Sequence, residues 1–245
     1  MINVMIPLAG TNPLFPKSEY PFSKPLVEID GKPMIQLAIE NLQTIDQDIH
    51  FIFLVKAEDC KNFFLDHTLR LLTENQSTII KIDKDTRGAA CSALLAIDEI
   101  DNDTPLIICN GDQIIKEDLN KIIDHLSTYD AGVVTITSVH PRWSYIRTDG
   151  DEVIETAEKR PISKDAIAGV FYYAKGSDYV RAAMEMIKKD AHYNDMYYIA
   201  STLNELILEN KRIGFYKIPV DQYECFYSPE KIKEYENRKH KKEHV

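Results

Sequence analysis

Asp112 is the residue whose type and setting point most directly to chemistry. It follows the apolar run 106–109 (LIIC), within Asn110-Gly111-Asp112-Gln113. A carboxylate at the carboxyl end of a buried strand is well placed to hold a divalent cation, and equally able to act as a cap. Lys17 and Lys24 lie in the loop-rich stretch 7–35, where a lysine can meet an anion or stay solvated. Arg87-Gly88-Ala89-Ala90 opens a helix after a strand. Small residues there admit close backbone approach and a helix N-terminus favours anions, but tight helix–sheet packing asks for the same residues. Glu158-Lys159 closes a strand-like segment, and such a dipeptide alone is ordinarily a solvated pair. Asp195, ahead of a helix, reads equally as a plain cap. The seven histidines are scattered along the chain, and Cys60, Cys91, Cys109 and Cys225 form no CxxC pair.

These side chains need a framework to hold them, and the apolar periodicity supplies one. Runs 2–6, 50–55, 77–82, 106–109 and 131–139 have the length and β-branched content of buried strands. Between them, 33–42, 57–74, a segment from Arg87 and one around 119–126 carry apolar residues at helical spacing. Strands alternating with helices imply βαβ units and a mostly parallel sheet. In such sheets ligands bind at the carboxyl ends of the strands, where the loop after residue 6 and Asp112 both fall. Beyond His140 the pattern changes. Segments 143–147 and 152–156 flank Asp149-Gly150 as a hairpin, followed by a strand at 166–174. Helices are expected at 177–188 and 197–210, a strand at 213–220, and a last helix from Ser228-Pro229.

Composition narrows the class. Of 245 residues, 44% are hydrophobic and 28% charged, ordinary for a globular protein. A net charge of −10 argues against binding to nucleic acid, while leaving local lysines able to hold a nucleotide. No stretch approaches a membrane span, and the first residues lack a signal peptide's basic region and cleavage site, so a cytoplasmic protein is expected.

The stretch 7–35 resembles the opening of the sugar-1-phosphate nucleotidyltransferases, the nucleoside-diphosphate-sugar pyrophosphorylases, and in particular the short type encoded with capsule and surface-polysaccharide genes. That family has a strand, an AGxGxRF loop, KPL, a short strand and GKPMI. Ala9-Gly10, Phe15, Lys24-Pro25-Leu26 and Gly31-Lys32-Pro33-Met34-Ile35 match it. Asn12 stands for the second glycine and Leu14 for the arginine. The resemblance runs through most of the chain. It implies one three-layer, Rossmann-like α/β fold, of the kind shared with GT-A glycosyltransferases, on a mixed, mostly parallel sheet. It also implies transfer of a nucleotidyl group from a nucleoside triphosphate to a phosphorylated sugar-like acceptor, with Mg²⁺ and release of pyrophosphate.

Residue roles follow from the same resemblance. Residues 1–140 would form the nucleotide-binding half and 141–245 the acceptor-binding half of one domain, in a chain that can form a homo-oligomer. Leu8, Ala9, Gly10, Gly88 and Ala89 would border the nucleotide, with Lys24 on its phosphates. Asp112 would hold the metal. The family's second carboxylate falls at Cys225 or Phe226, with Asp221 as the nearest substitute ligand and Glu224 close by. Glu158 would hold a sugar hydroxyl and Lys159 the acceptor phosphate, with Gly169 packed against the sugar and Asp195 on a segment closing over it. Leu14 cannot brace phosphates, and loss of such a donor costs on the order of 10²–10³ in rate. Lys17, Arg87 or Lys84 could supply the charge. Two other readings stay open: a GT-A glycosyltransferase, for which Asn110-Gly111-Asp112 offers only one acid, and a protein that binds nucleotide or sugar phosphate with little turnover.

Overall fold

In a computed structural model, which describes residues 1–10, 13–16 and 18–243 without the side chains of 241–243, the chain opens with β1 (Ile2–Pro7). A 3₁₀ turn at Lys24–Leu26, strands β2 (Glu28–Ile29) and β3 (Lys32–Pro33), and helix α1 (Met34–Leu42) follow. Next come β4 (Ile49–Lys56), α2 (Ala57–Phe63), α3 (Leu65–Leu72), β5 (Ser77–Ile82), α4 (Ala89–Leu94) and α5 (Ile97–Ile100). Then come β6 (Leu106–Cys109), β7 (Gln113–Ile115), α6 (Leu119–Leu126) and β8 (Ala131–Thr137). The hairpin β9 (Ser144–Asp149) and β10 (Glu152–Glu158) leads to β11 (Asp165–Tyr173). Last are α7 (Gly176–Lys188), α8 (Ile199–Leu208), β12 (Ile213–Lys217), β13 (Tyr223–Cys225) and α9 (Pro229–Glu243).

Nine strands form one mixed sheet, in the order β10-β9-β11-β6-β1-β4-β5, with β8 also on β11 and β12 on β8. The ladders set β10 and β11 against the direction of the others, so the sheet is mostly parallel in strand direction. Strands from both halves of the sequence therefore share a sheet. β1 lies between β4 and β6, with Met5 opposite Ile52 and Ile108. A strand in that position is buried on both faces, which explains an unbroken apolar run rather than an alternating one.

The two faces pack separately. Ile2, Val4 and Ile6 of β1 and Phe51, Phe53 and Val55 of β4 meet α1, α3 and α6 on one side. Met5, Ile52 and Leu54 meet α4, α5, α7 and α8 on the other. Burying each such side chain stabilises the fold by roughly 1.5–3 kcal/mol relative to exposure. A third, smaller cluster gathers Phe15, Val27, Ile29 and Met34 with Phe226 and with Ile232 of α9. It ties the end of the chain to the loop after β1.

Several boundaries differ from the sequence reading, each for a local reason. Pro33 ends β3 and precedes α1 instead of opening the helix. The expected helix 57–74 is broken at Phe64, whose φ of 54° is left-handed. In one continuous helix Cys60 and Leu65 would lie about 140° apart, and the break lets both face the same core. The helix expected from Arg87 begins at Ala89. The strand expected at 213–220 stops at Lys217, before Pro219. The small β7–β13 ladder was not legible in the sequence, because each strand has only three residues.

Candidate active site

Four adjacent strands, β5, β4, β1 and β6, end along one edge of the sheet, and the loop after β1 rises from it. Leu8 is drawn back over this edge by its amide, which donates to the Leu54 carbonyl at 2.7 Å. Its side chain lies where a Cβ on Gly111 would come within 2.6 Å, so Gly111 allows Leu8 to sit against the turn that carries Asp112. Lys24, from the 3₁₀ turn, reaches Asp112 and forms an ion pair with it, both side chains being about one-fifth exposed (22% and 18%). The Lys24 ammonium also stands 5.6 Å from the centre of the buried Phe15 ring. The residues 88 apart in sequence that were singled out separately are thus one charged unit.

This unit lies in a cavity of about 640 Å³ whose lining includes Gly10, Ser23, Lys24, Lys56 and Asp112. A neighbouring cavity of about 690 Å³ takes in Ala9, Lys84, Gly88, Ala89 and Met196, and shares Gly10, Lys56 and Asn110 with the first. Ser23 Oγ is buried with no hydrogen-bond partner among the described residues. An orphaned hydroxyl of that kind costs about 1–3 kcal/mol, unless a ligand satisfies it. Leu14 is half exposed (50%) and presents no charge. Asn12 and Lys17 lie outside the described residues.

Gly88 answers the question left open for its segment. Its φ is 107°, and a Cβ there would lie 2.3 Å from the Tyr197 carbonyl oxygen. Tyr197 donates to the Arg87 carbonyl at 2.7 Å and accepts from the Ala90 amide at 3.1 Å. Close packing therefore demands the glycine by itself, and Gly88 and Ala89 still line the second cavity. Arg87 stacks 5.0 Å over Tyr197 and donates from Nε to the Asp195 carbonyl at 3.2 Å. Asp195 has a left-handed φ of 58°, and α8 is preceded by Tyr198, so Asp195 is not that helix's cap. Its carboxylate faces Arg87 at 3.8 Å instead.

The residues expected to meet the acceptor come together around the end of β10. Ser144 of β9 donates a short hydrogen bond to the Glu158 carboxylate. Burial raises the Glu158 pKa, and the Ser144 hydrogen bond and Lys159 charge only partly oppose it. Lys159 has a left-handed φ of 53°, which turns its side chain toward residues 193–198. Its Nζ donates to the Tyr198 hydroxyl at 2.9 Å and lies over the Tyr198 and Tyr193 rings at 4.9 and 5.9 Å. That hydrogen bond raises the Lys159 pKa above the usual lysine value. Gly169, at φ 62°, touches the Asn110 and Gln113 side chains where a Cβ would clash at 2.2 and 2.7 Å. Gln113 Nε2 donates to the Gly169 carbonyl at 3.1 Å, and the Tyr223 hydroxyl donates to Gln113 at 3.0 Å.

The expected second metal ligand does not reach Asp112. The β7–β13 ladder places Phe226 opposite Asp112, its amide donating to the Asp112 carbonyl at 2.7 Å. Asp221 stands at the other end, where its own carbonyl accepts from Lys116 at 3.4 Å. Glu224 is buried and held by Lys116 at 2.6 Å and Arg238 at 2.5 Å. Burial and the nearby Asp112 charge push the Cys225 thiol up to about 12, so it is a neutral neighbour. Among the described residues no group of three acids, histidines or cysteines could cage a metal ion. One carboxylate still fits Mg²⁺, which is commonly held by one or two carboxylates plus substrate phosphates and water.

Sequence reasoning missed Lys56, Ser23, Ser144 and Tyr193, and placed Tyr198 only within the segment expected to close over the acceptor. Lys56 had a signal, since it ends an apolar strand just as Asp112 follows one. Ser144 had one too, since it stands opposite Glu158 across the expected hairpin; Tyr193 and Tyr198 had none, because they meet Lys159 only across a long separation in the chain.

Comparison with known proteins agrees with this fold. The chain is 26% identical over 155 residues to the bifunctional protein GlmU of Methanocaldococcus jannaschii, covering 62% of this chain but only 35% of that protein. The nucleoside-diphosphate-sugar pyrophosphorylase of Vibrio cholerae RC9 superposes with a TM-score of 0.85, covering 96% of this chain and 100% of the other, at 22% identity. A UDP-glucose pyrophosphorylase complexed with UDP-glucose superposes with a TM-score of 0.76, covering 99% and 100%, at 19% identity. The family model for nucleotidyl transferases matches residues 14–216, and the chain belongs to that nucleotidyl transferase family.

Proposed function

We propose that this protein transfers a nucleoside monophosphate from a triphosphate to a sugar phosphate or similar phosphorylated acceptor, releasing pyrophosphate. The observation that carries this reading is the Lys24–Asp112 pair on the carboxyl edge beside the Gly10 loop, with a second cation, Lys159, beside a desolvated Glu158. Residues 1–140 supply the first set and 141–245 the second. The acceptor phosphate is already an oxyanion near neutral pH, so its oxygen can attack the α-phosphorus without a general base. The α–β bridging bond breaks and pyrophosphate leaves. The protein's task is to orient two anions and offset their charge.

Leu8, Ala9 and Gly10, with Gly88 and Ala89, offer backbone to the nucleotide, and Lys24 pairs with its phosphates. Asp112 would hold Mg²⁺, which would supply charge neutralisation for the transferring and leaving phosphates. Asp221 stands apart from that position and is no part of this reading. Lys159 holds the acceptor phosphate, Glu158 accepts from a hydroxyl, and Gly169 and the segment bearing Asp195 border the acceptor. A cytoplasmic setting, surface-polysaccharide synthesis and a homo-oligomer extend the reading by resemblance. No helix of the described residues is long and apolar enough to cross a membrane.

Pyrophosphate release from a panel of triphosphates and sugar phosphates tests the proposal. Release that requires both substrates and a divalent cation is the expected result. Leu14 favours a second reading, binding with little turnover. Tight binding of both substrates with no release under any pairing would establish that one instead.

A further inference from the structure

Lys56 is the one cation among the described residues that lines both cavities. It ends β4 at the sheet's carboxyl edge, opposite Ile82 of β5, two residues beyond the pairing of Leu54 with Pro7. Strand alternation places its side chain on the face of Ile52 and Leu54. The Gly10 loop therefore has Lys24–Asp112 on its β6 side and Lys56 on its β4 side. The charged groups lining the first cavity are Lys24, Lys56, Glu58, Asp59 and Asp112. Lys24 is matched by Asp112, and Glu58 and Asp59 each have an interaction of their own. The Lys56 ammonium makes no hydrogen bond or ion pair with another described residue. Ser23, whose buried hydroxyl has no partner among the described residues, lines the same cavity.

We infer that Lys56 is a phosphate-binding residue for the triphosphate tail and the pyrophosphate product, supplying the positive charge that Leu14 does not. The inference rests on the nucleotidyl-transfer reading. A partly buried ammonium that meets a phosphate oxygen makes a charge-assisted bond, stronger than a neutral one. It asks for no covalent step. Its effect is to bind the anion and to stabilise charge on the leaving group.

The test is calorimetric titration of inorganic pyrophosphate, with Mg²⁺, into wild type, Lys56→Met and Lys61→Met. Pyrophosphate needs no knowledge of the base. Met keeps the aliphatic stem, and melting curves confirm the fold. Lys61, on the exposed face of α2 and outside both cavities, controls for a general loss of charge. We expect Lys56→Met to weaken binding at least about tenfold, some 1.4 kcal/mol, and Lys61→Met to leave it nearly unchanged. Lys56→Arg should restore most of the affinity. A Lys56→Met affinity within about threefold of wild type, or an equal loss in Lys61→Met, overturns the assignment, a threefold change being about 0.7 kcal/mol. If wild type binds pyrophosphate and turns over while Lys56→Met matches it, only Lys56 is wrong. If wild type neither binds pyrophosphate nor releases it from any triphosphate, the transfer reading falls too.

Discussion

The two charged centres of this molecule are built differently. At the centre proposed for the nucleotide, Lys24 is matched by a carboxylate, and both side chains come from loops at the end of parallel strands. At the centre proposed for the acceptor, Lys159 has no ion pair within 4.0 Å among the described residues and is held by a phenol and two aromatic faces. A phosphate reaching Lys159 displaces only a neutral hydrogen bond. One reaching Lys24 competes with Asp112, unless a divalent cation takes that carboxylate at the same time. Under the proposed function, nucleotide binding is expected to depend on a divalent cation and acceptor binding is not.

Asp112→Asn should break this contrast most severely. Asn still accepts from Lys24, so the fold should persist, but the charge that holds a divalent ion is gone. Turnover should fall by at least about 10²–10³, with the melting temperature within a few degrees of wild type. Retained wild-type turnover would make the Lys24–Asp112 pair purely structural.

Lys159→Ala should act on one side only. Losing a hydrogen bond to a charged group costs about 1.5–3 kcal/mol, roughly 10- to 150-fold in acceptor affinity. Nucleotide affinity should not change. Titrating each substrate separately checks this, and equal losses for both would show that the two centres are one.

Glu158→Gln carries the smallest expected effect and sharpens the acceptor side. Burial raises the Glu158 pKa in the folded state, so that state binds the proton more tightly than the unfolded chain does. The group's contribution to stability is greatest below the unfolded pKa and is lost as pH rises through the folded value. Glutamine has no such loss and can still accept from Ser144. Melting curves of the two proteins should therefore draw apart in the variant's favour as pH rises from 4 to 7, while acceptor affinity falls. Parallel curves would mean that Glu158 is not desolvated.

The amino-acid sequence by itself determined the alternating strands and helices of the first half, the hairpin at Asp149-Gly150 and the position of Asp112. All of these depend on local periodicity or turn chemistry, which neighbouring residues settle. Lys24 and Asp112 were each legible as well, but not as partners. Their pairing needs β1 and β6 side by side and the 3₁₀ turn folded over them. The cage of Tyr193 and Tyr198 around Lys159, the place of Lys56 between two cavities, and the separation of Asp221 from Asp112 were decided only by the tertiary structure. Each depends on ladder register or on a left-handed backbone at one residue, and no local pattern of side chains encodes either.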